Sequence, residues 1–223
     1  EGDTNEGYTA GDAILDIDGR ELFRINYGKK GWMDGGLKGG YAKMYMHNDT
    51  SKENNNIYLG FLDKTGKLVI NDTSIREATN FSNNRAFVEY YNDKNYSLIN
   101  AEGLTIKANA YERADEFING LAVVSEDYLY GIIDTNGNYV IKPTYTLIHH
   151  NSINHNYFFF SQKDKLDREG EYLVGMATID GREIIPPVID QYPSPYILDS
   201  IIVCRIKNRA TYINMHGKGV RLR

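Results

Sequence analysis

The sequence predicts an all-β protein, a continuous antiparallel array of six degenerate β-hairpin or meander repeats. Three observations predict it: a glycine-closed turn motif that recurs six times, short β-branched and aromatic runs on either side of that turn, and no stretch of sustained helical periodicity. The turn glycines are Gly19, Gly66, Gly103, Gly137, Gly181 and Gly217, separated by 47, 37, 34, 44 and 36 residues. The underlying unit is therefore about 34 to 37 residues with insertions, a period found in stacked and radial repeat folds.

The sharpest copies span residues 60–70, 131–143 and 175–187, with a weaker one at 97–103 and degenerate ones at 13–23 and 211–217. Asp-x-x-Gly between two apolar runs, as at Asp63 and Asp134, is the pattern of a type I turn closed by a glycine at positive φ. The Asp side chain bonds a backbone N–H ahead of it, and the glycine takes the left-handed conformation without a Cβ clash. A second block recurs between the first: residues 117–124 match 81–88 and, loosely, 37–44. Each unit thus reads as strand A (121–125), a hairpin, strand B (129–133), the turn, strand C (138–141) and a return through Pro143 and Tyr145. The nearest approach to a helix is 111–117, where a single helical turn would suffice. A lone meander is marginal in water, so neighbouring units must cover its apolar face. The structural alternative is a closed propeller. The first copy lacks strand A and the last lacks its return, as would suit closure, but four strands per blade need ~40 residues or more.

Composition bounds the function. Across 223 residues, 25 Lys and Arg lie scattered against 30 Asp and Glu for a net charge of −5, so no basic stripe is available to neutralise phosphates and nucleic acid is not an expected partner. No apolar run approaches the ~20 residues that span a bilayer; residues 197–203 and 157–160 are strand-sized. The single cysteine, Cys204, lies in an apolar run and reads as a small buried hydrophobe; redox compartment stays open. The acidic, glycine-rich start predicts a flexible segment over 1–10, followed by one repeat domain over 11–223. A start at Glu1 suggests trimming upstream, with a removed secretion signal or a cloning boundary as equal explanations.

Residues 111–124 followed by 130–143, with the strand-turn-strand core Gly131-Ile132-Ile133-Asp134-Thr135-Asn136-Gly137, resemble the WG-repeat (KWG-type) family of bacterial proteins. The resemblance is sharp over 111–145 and moderate over 57–88 and 172–187. Leu59, Tyr130 and Val174 stand where the family has its naming tryptophan, and Trp32 lies outside that slot. The resemblance implies a β-rich interaction module, often extracellular or at the cell surface, with no established catalytic site and no functional residue to carry over.

Length changes between copies concentrate at the A-to-B hairpin, read as tight at Glu126-Asp127 and Lys207-Asn208 and expanded over 47–56 and 162–171. In a repeat array that hairpin emerges on one edge, which marks the edge for recognition; tolerance of polar insertions is the competing explanation, since loop closure costs little more as loops lengthen. Residues 28–40, which contain Trp32, read as a second irregular loop that lacks the context of a phosphate cradle. Of eighteen tyrosines, Tyr111, Tyr130 and Tyr145 occupy repeat slots and are assigned to structure; Tyr45, Tyr90, Tyr91 and Tyr128, near hairpin ends, join Trp32 as candidate partner-binding residues. His149, His150 and His155 lack the spacing and supporting carboxylate of a metal site, and Asp16-x-Asp18-Gly19 lacks the further ligands of a calcium loop. No catalytic, metal or cofactor residue is assigned. The expected function is a non-enzymatic module for protein–protein interaction outside the cytoplasm, the alternative a cell-wall or carbohydrate-binding module.

Overall fold

The computed structural model describes residues 12–15, 18–25, 31–47, 57–149, 156–190, 196–198 and 200–220. Among these, twenty-one strands form six separate antiparallel sheets and no helix is present. The first sheet pairs β1 (Asp12–Leu15) with β2 (Glu21–Ile25). The second is the meander β3 (Gly31–Met33), β4 (Tyr41–His47), β5 (Ile57–Asp63) and β6 (Leu68–Asn71), the third β7 (Ile75–Ala78), β8 (Arg85–Tyr90), β9 (Tyr96–Asn100) and β10 (Thr105–Tyr111). The fourth holds β11 (Arg113–Ala114), β12 (Leu121–Glu126), β13 (Leu129–Asp134) and β14 (Tyr139–Tyr145), the fifth β15 (Leu147–Ile148), β16 (Tyr157–Leu166), β17 (Tyr172–Thr178) and β18 (Glu183–Ile189). The sixth holds β19 (Tyr196–Leu198), β20 (Ile201–Ile206) and β21 (Arg209–Asn214). The chain packs as two compact units, residues 1–110 and 111–223. The all-β array expected from the repeats is the observed architecture.

The turn between strands B and C is built alike in successive copies. All six turn glycines have positive φ, between 77° and 87°. In four copies a short polar side chain ahead of the glycine accepts two backbone N–H groups: Asp134 Oδ1 from Asn136 at 2.8 Å and Asn138 at 2.9 Å, Asn100 from Glu102 and Leu104, Asn214 from His216 and Lys218. Asp63 does the same with Thr65 and Lys67, while in the fifth copy the Thr178 hydroxyl accepts from Arg182. Asp16 of the first copy lies outside the described residues.

A second tight turn precedes strand A. Gly39-Gly40, Asn83-Asn84 and Asn119-Gly120 each carry two consecutive positive φ angles between a pair of bridged residues, the mark of a type I′ turn. This explains why Asn and Gly recur in the block over 117–124.

Five expectations are corrected. Residues 111–117 contain the short strand β11 instead of a helical turn, because Arg113 and Ala114 pair with Ser125 and Val124. Strand C runs through Pro143 to Tyr145, Pro143 being tolerated on the outer strand of its sheet. Each meander from the second to the fifth has four strands, not three, the added one being a first strand short enough, two to four residues, to fit the period. Within the presumed glycine-rich loop, Gly31–Met33 is strand β3, paired with β4. Residues 162–171 are a hairpin extension, with β16 running to Leu166 and an Asp167-x-x-Gly170 turn of the same build, in which Asp167 accepts from Glu169 and Glu171.

Within each unit, burial falls between successive sheets. Leu59, Phe61 and Ile70 of the second sheet pack with Ile75, Phe81 and Val88 around the third. Val123, Ile132 and Ile141 of the fourth meet Phe158 and Phe160 of the fifth, whose other residues Phe159, Val174 and Ile185 meet Ile202, Cys204 and Ile213 of the sixth. Cys204 is buried, and burial with the nearby Asp190 charge pushes its thiol up to about 11.

The register between sheets rests on one residue seven positions after the turn polar residue. At Phe23, Ile70, Ile141 and Ile185 a large apolar side chain lies under the turn glycine of the following sheet, namely Gly66, Gly103, Gly181 and Gly217. Its carbonyl approaches its own sheet's strand-B glycine: a Cβ on Gly60, Gly131 or Gly175 would stand 2.8, 2.6 or 2.9 Å from the oxygen of Ile70, Ile141 or Ile185. A register shift in the B–C ladder marks that close approach.

Candidate functional site

The A-to-B hairpin occupies the same place in each meander, and it is where the copies differ. In the second sheet its residues 48–56 lie outside the described set. In the third, residues 91–95 join β8 to β9; in the fourth it shrinks to Asp127 and Tyr128, and in the sixth to Lys207 and Asn208. Both two-residue hairpins are type I′ turns, with φ of 48° and 63° in one and 50° and 63° in the other. The fourth-sheet turn thus sits one residue later than the sequence suggested, since Glu126 pairs with Leu129.

Carboxylates from the preceding strand end hold these turns open to solvent. Glu112 accepts the Tyr128 N–H at 2.9 Å, and Asp190 accepts those of Lys207 at 3.1 Å and Asn208 at 2.8 Å. Tyr128 is consequently fixed in backbone, yet its side chain is 87% exposed. A bulky residue at positive φ is unusual, because Asn and Gly meet the demand of that position without steric cost. Below it, the Tyr139 hydroxyl donates to Glu126, tying β14 to the same hairpin.

The other sequence candidates divide. Tyr91 is exposed, and its hydroxyl donates to the Ile57 carbonyl, which ties the β8–β9 connection to the start of β5. Trp32 is exposed and stacks on its cross-strand partner Tyr45, with ring centroids 5.2 Å apart and planes at 18°, while His47 tilts against it at 5.7 Å. Tyr45 and Tyr90 are half-buried because each shares a strand with core residues, and burial raises the Tyr90 phenol pKa. Tyr111 and Tyr145 are buried, with the Tyr111 hydroxyl pushed up to about 12 by burial and by Glu126 and Asp134. Tyr130 is half-buried against the same core.

Sequence reading missed a groove of about 700 Å³ between the extended β16–β17 hairpin, the end of β18 and the β20–β21 turn. Its residues come from three segments that only stacking of the fifth and sixth sheets brings together. His149 is half-buried, and burial lowers its imidazole pKa; His150 and His155 lie outside the described residues. Among the described residues no three His, Cys, Asp or Glu side chains cluster as a metal site, and no helix is long and apolar enough to cross a membrane.

Residues 130–165 match the family described as WG containing repeat, so the chain carries a WG-type repeat. No curated protein matches the chain. Among solved structures it is similar to AztD of Citrobacter koseri, with 13% identity over 92% of this chain and 62% of that one and a TM-score of 0.49. It is also similar to Hsv2 of Kluyveromyces lactis, with 13% identity over 92% of this chain and 68% of that one and a TM-score of 0.46. The chain thus spans under two thirds of the AztD chain.

Proposed function

We propose that this WG-repeat chain is a non-enzymatic module that binds a protein partner along the edge formed by the A-to-B hairpins of residues 111–223. The observation that supports this most is Tyr128. A rigid turn, pinned by Glu112, presents a large amphipathic ring almost wholly to water at a position whose backbone disfavours it. Tyrosine delivers much contact area for little lost rotamer entropy and is enriched among residues that dominate binding energy. The length variation at the same hairpin in the fifth sheet adds a second projecting element on that edge. An extracellular or cell-surface setting belongs to the same proposal and rests on the family resemblance.

The test is affinity capture from the producing organism, comparing the full chain with a Tyr128→Ala variant and with one whose residues 162–171 are shortened to a two-residue turn. Partners captured by the full chain and lost from either variant are expected; an identical set from all three sinks the edge reading. The stacked, exposed Trp32 supports a second reading, carbohydrate binding by ring stacking. A glycan array that gives hits abolished by Trp32→Ala would favour it, and an array without hits removes it.

A further inference from the structure

We infer that the groove between the fifth and sixth sheets binds an extended peptide in which apolar side chains alternate with Lys or Arg. The floor is apolar and incompletely covered: Leu166 and Val188 are exposed, and Leu173 and Ile206 half-buried. Side chains of this size facing water at the mouth of a cavity are what an apolar partner residue would cover.

The rim decides the partner's charge. Asp167, Glu169, Glu171 and Asp190 stand against only Arg168 and Lys207. Asp167 accepts backbone N–H groups of its own turn, and Asp190 accepts those of the β20–β21 turn. Glu169 and Glu171, at the exposed tip of the β16–β17 hairpin, have no ion-pair partner among the described residues. The surplus of carboxylates favours a cationic occupant and penalises an anionic one. An extended chain presents every second side chain to one face at roughly 7 Å spacing, so it can lower apolar residues to the floor while its cations reach the rim. Two rigid hairpins wall the groove, so little ordering is required on this side of the complex.

This inference rests on the protein-binding reading above and names its partner chemistry. The test uses the full chain and a fluorescein-labelled nonapeptide of alternating Lys and Val, followed by fluorescence anisotropy. Two matched peptides, alternating Glu with Val and Lys with Ser, serve as comparisons. The Lys/Val peptide is expected to bind at least tenfold more tightly than either, to weaken as salt rises, and to lose at least tenfold in affinity with Glu169→Lys/Glu171→Lys. Leu166→Ser, at an exposed strand end, should weaken it several-fold with the far-UV spectrum unchanged. Equal binding of Lys/Ser and Lys/Val peptides, or an affinity untouched by the charge reversal, overturns the inference. Tyr128→Ala leaves peptide binding unchanged because Tyr128 does not line the groove. Loss of captured partners with Tyr128→Ala, together with no peptide binding, overturns the groove alone; peptide binding with unchanged capture overturns only the edge reading.

Discussion

Gly131→Ala tests the B–C crossing that gives each sheet its register. An ideal Cβ at position 131 would stand 2.6 Å from the Ile141 oxygen, 2.8 Å from the Pro143 nitrogen and 3.0 Å from the Lys142 carbonyl carbon. All three atoms are backbone, so no side-chain rotation relieves the overlap. The Ile141 carbonyl would have to retreat by about 0.4 Å merely to reach the 3.0 Å that real Cβ contacts respect. That movement also shifts the Ile141 side chain, which lies 3.6 Å from the position a Cβ on Gly181 of the next sheet would take. Overpacking of this kind costs ~1–3 kcal/mol, and loosening one or two ladder hydrogen bonds adds ~0.5–1.5 kcal/mol each, for a total of about 1.5–6 kcal/mol. With a urea m-value of ~1.5 kcal/mol/M, the midpoint followed by far-UV circular dichroism should fall by roughly 1–4 M. Gly36→Ala is the control, since its φ is not positive and nothing lies within 4 Å of its Cβ; its midpoint should stay put or rise slightly. A fall of less than about 0.3 M for Gly131→Ala would refute the steric argument.

Tyr128→Gly removes a side chain from a positive-φ position and creates the favoured Asp-Gly turn, so it should stabilise the fold by up to ~1 kcal/mol in the same urea assay while abolishing partner capture. Asp134→Asn should keep the turn, as Asn100 and Asn214 do, leaving the midpoint at pH 7 unchanged. Burial opposes ionisation of Asp134, but hydrogen bonds from Asn138 and Asn136 outweigh it and hold its pKa below 3.8. Its contribution is therefore full above the unfolded value and lost as pH falls through the lower folded value. Urea titrations between pH 5 and pH 2 should show a flatter acid limb in Asp134→Asn, and superimposed limbs would contradict this. Cys204, buried and with its thiol pushed up to about 11, should resist an aromatic disulfide reagent at pH 8 and react fully in urea; rapid native labelling would contradict its burial.

The repeat was legible because its turn depends on local chemistry. A side-chain acceptor followed by a glycine at positive φ is written within four residues, and every described copy forms it. Strands A and B were legible because both their faces are covered, which leaves continuous apolar runs such as Leu121 to Val124. The first strand of each meander was not: two residues such as Arg113 and Ala114 carry no periodicity and owe their conformation to pairing. The 162–171 hairpin escaped because β16 beyond Ser161 is exposed, so Gln162 to Lys165 show no apolar alternation, although Asp167-x-x-Gly170 was there to be read. The groove was invisible in principle, since Leu166, Val188 and Ile206 meet only after sheets stack.

The same geometry explains where this protein can vary. The B–C turn glycine lies over the preceding sheet's apolar residue, as Gly181 lies over Ile141 and Gly217 over Ile185. A residue inserted there would lift the turn off its neighbour and break the packing between two sheets at once. The described A-to-B turns of the fourth and sixth sheets meet the preceding strand end through one carboxylate each, Glu112 and Asp190, so lengthening such a hairpin costs mainly loop-closure entropy, ~0.6 kcal/mol per doubling. Four residues from Asp or its substitute to Gly are accordingly kept in all six copies, whereas the A-to-B connection is two residues in the fourth sheet and a strand extension with its own turn in the fifth. Stability thus resides in one end of each meander and freedom to diversify in the other. Tyr128 and the peptide groove both sit at the free end, where a change of partner leaves the packing between sheets untouched.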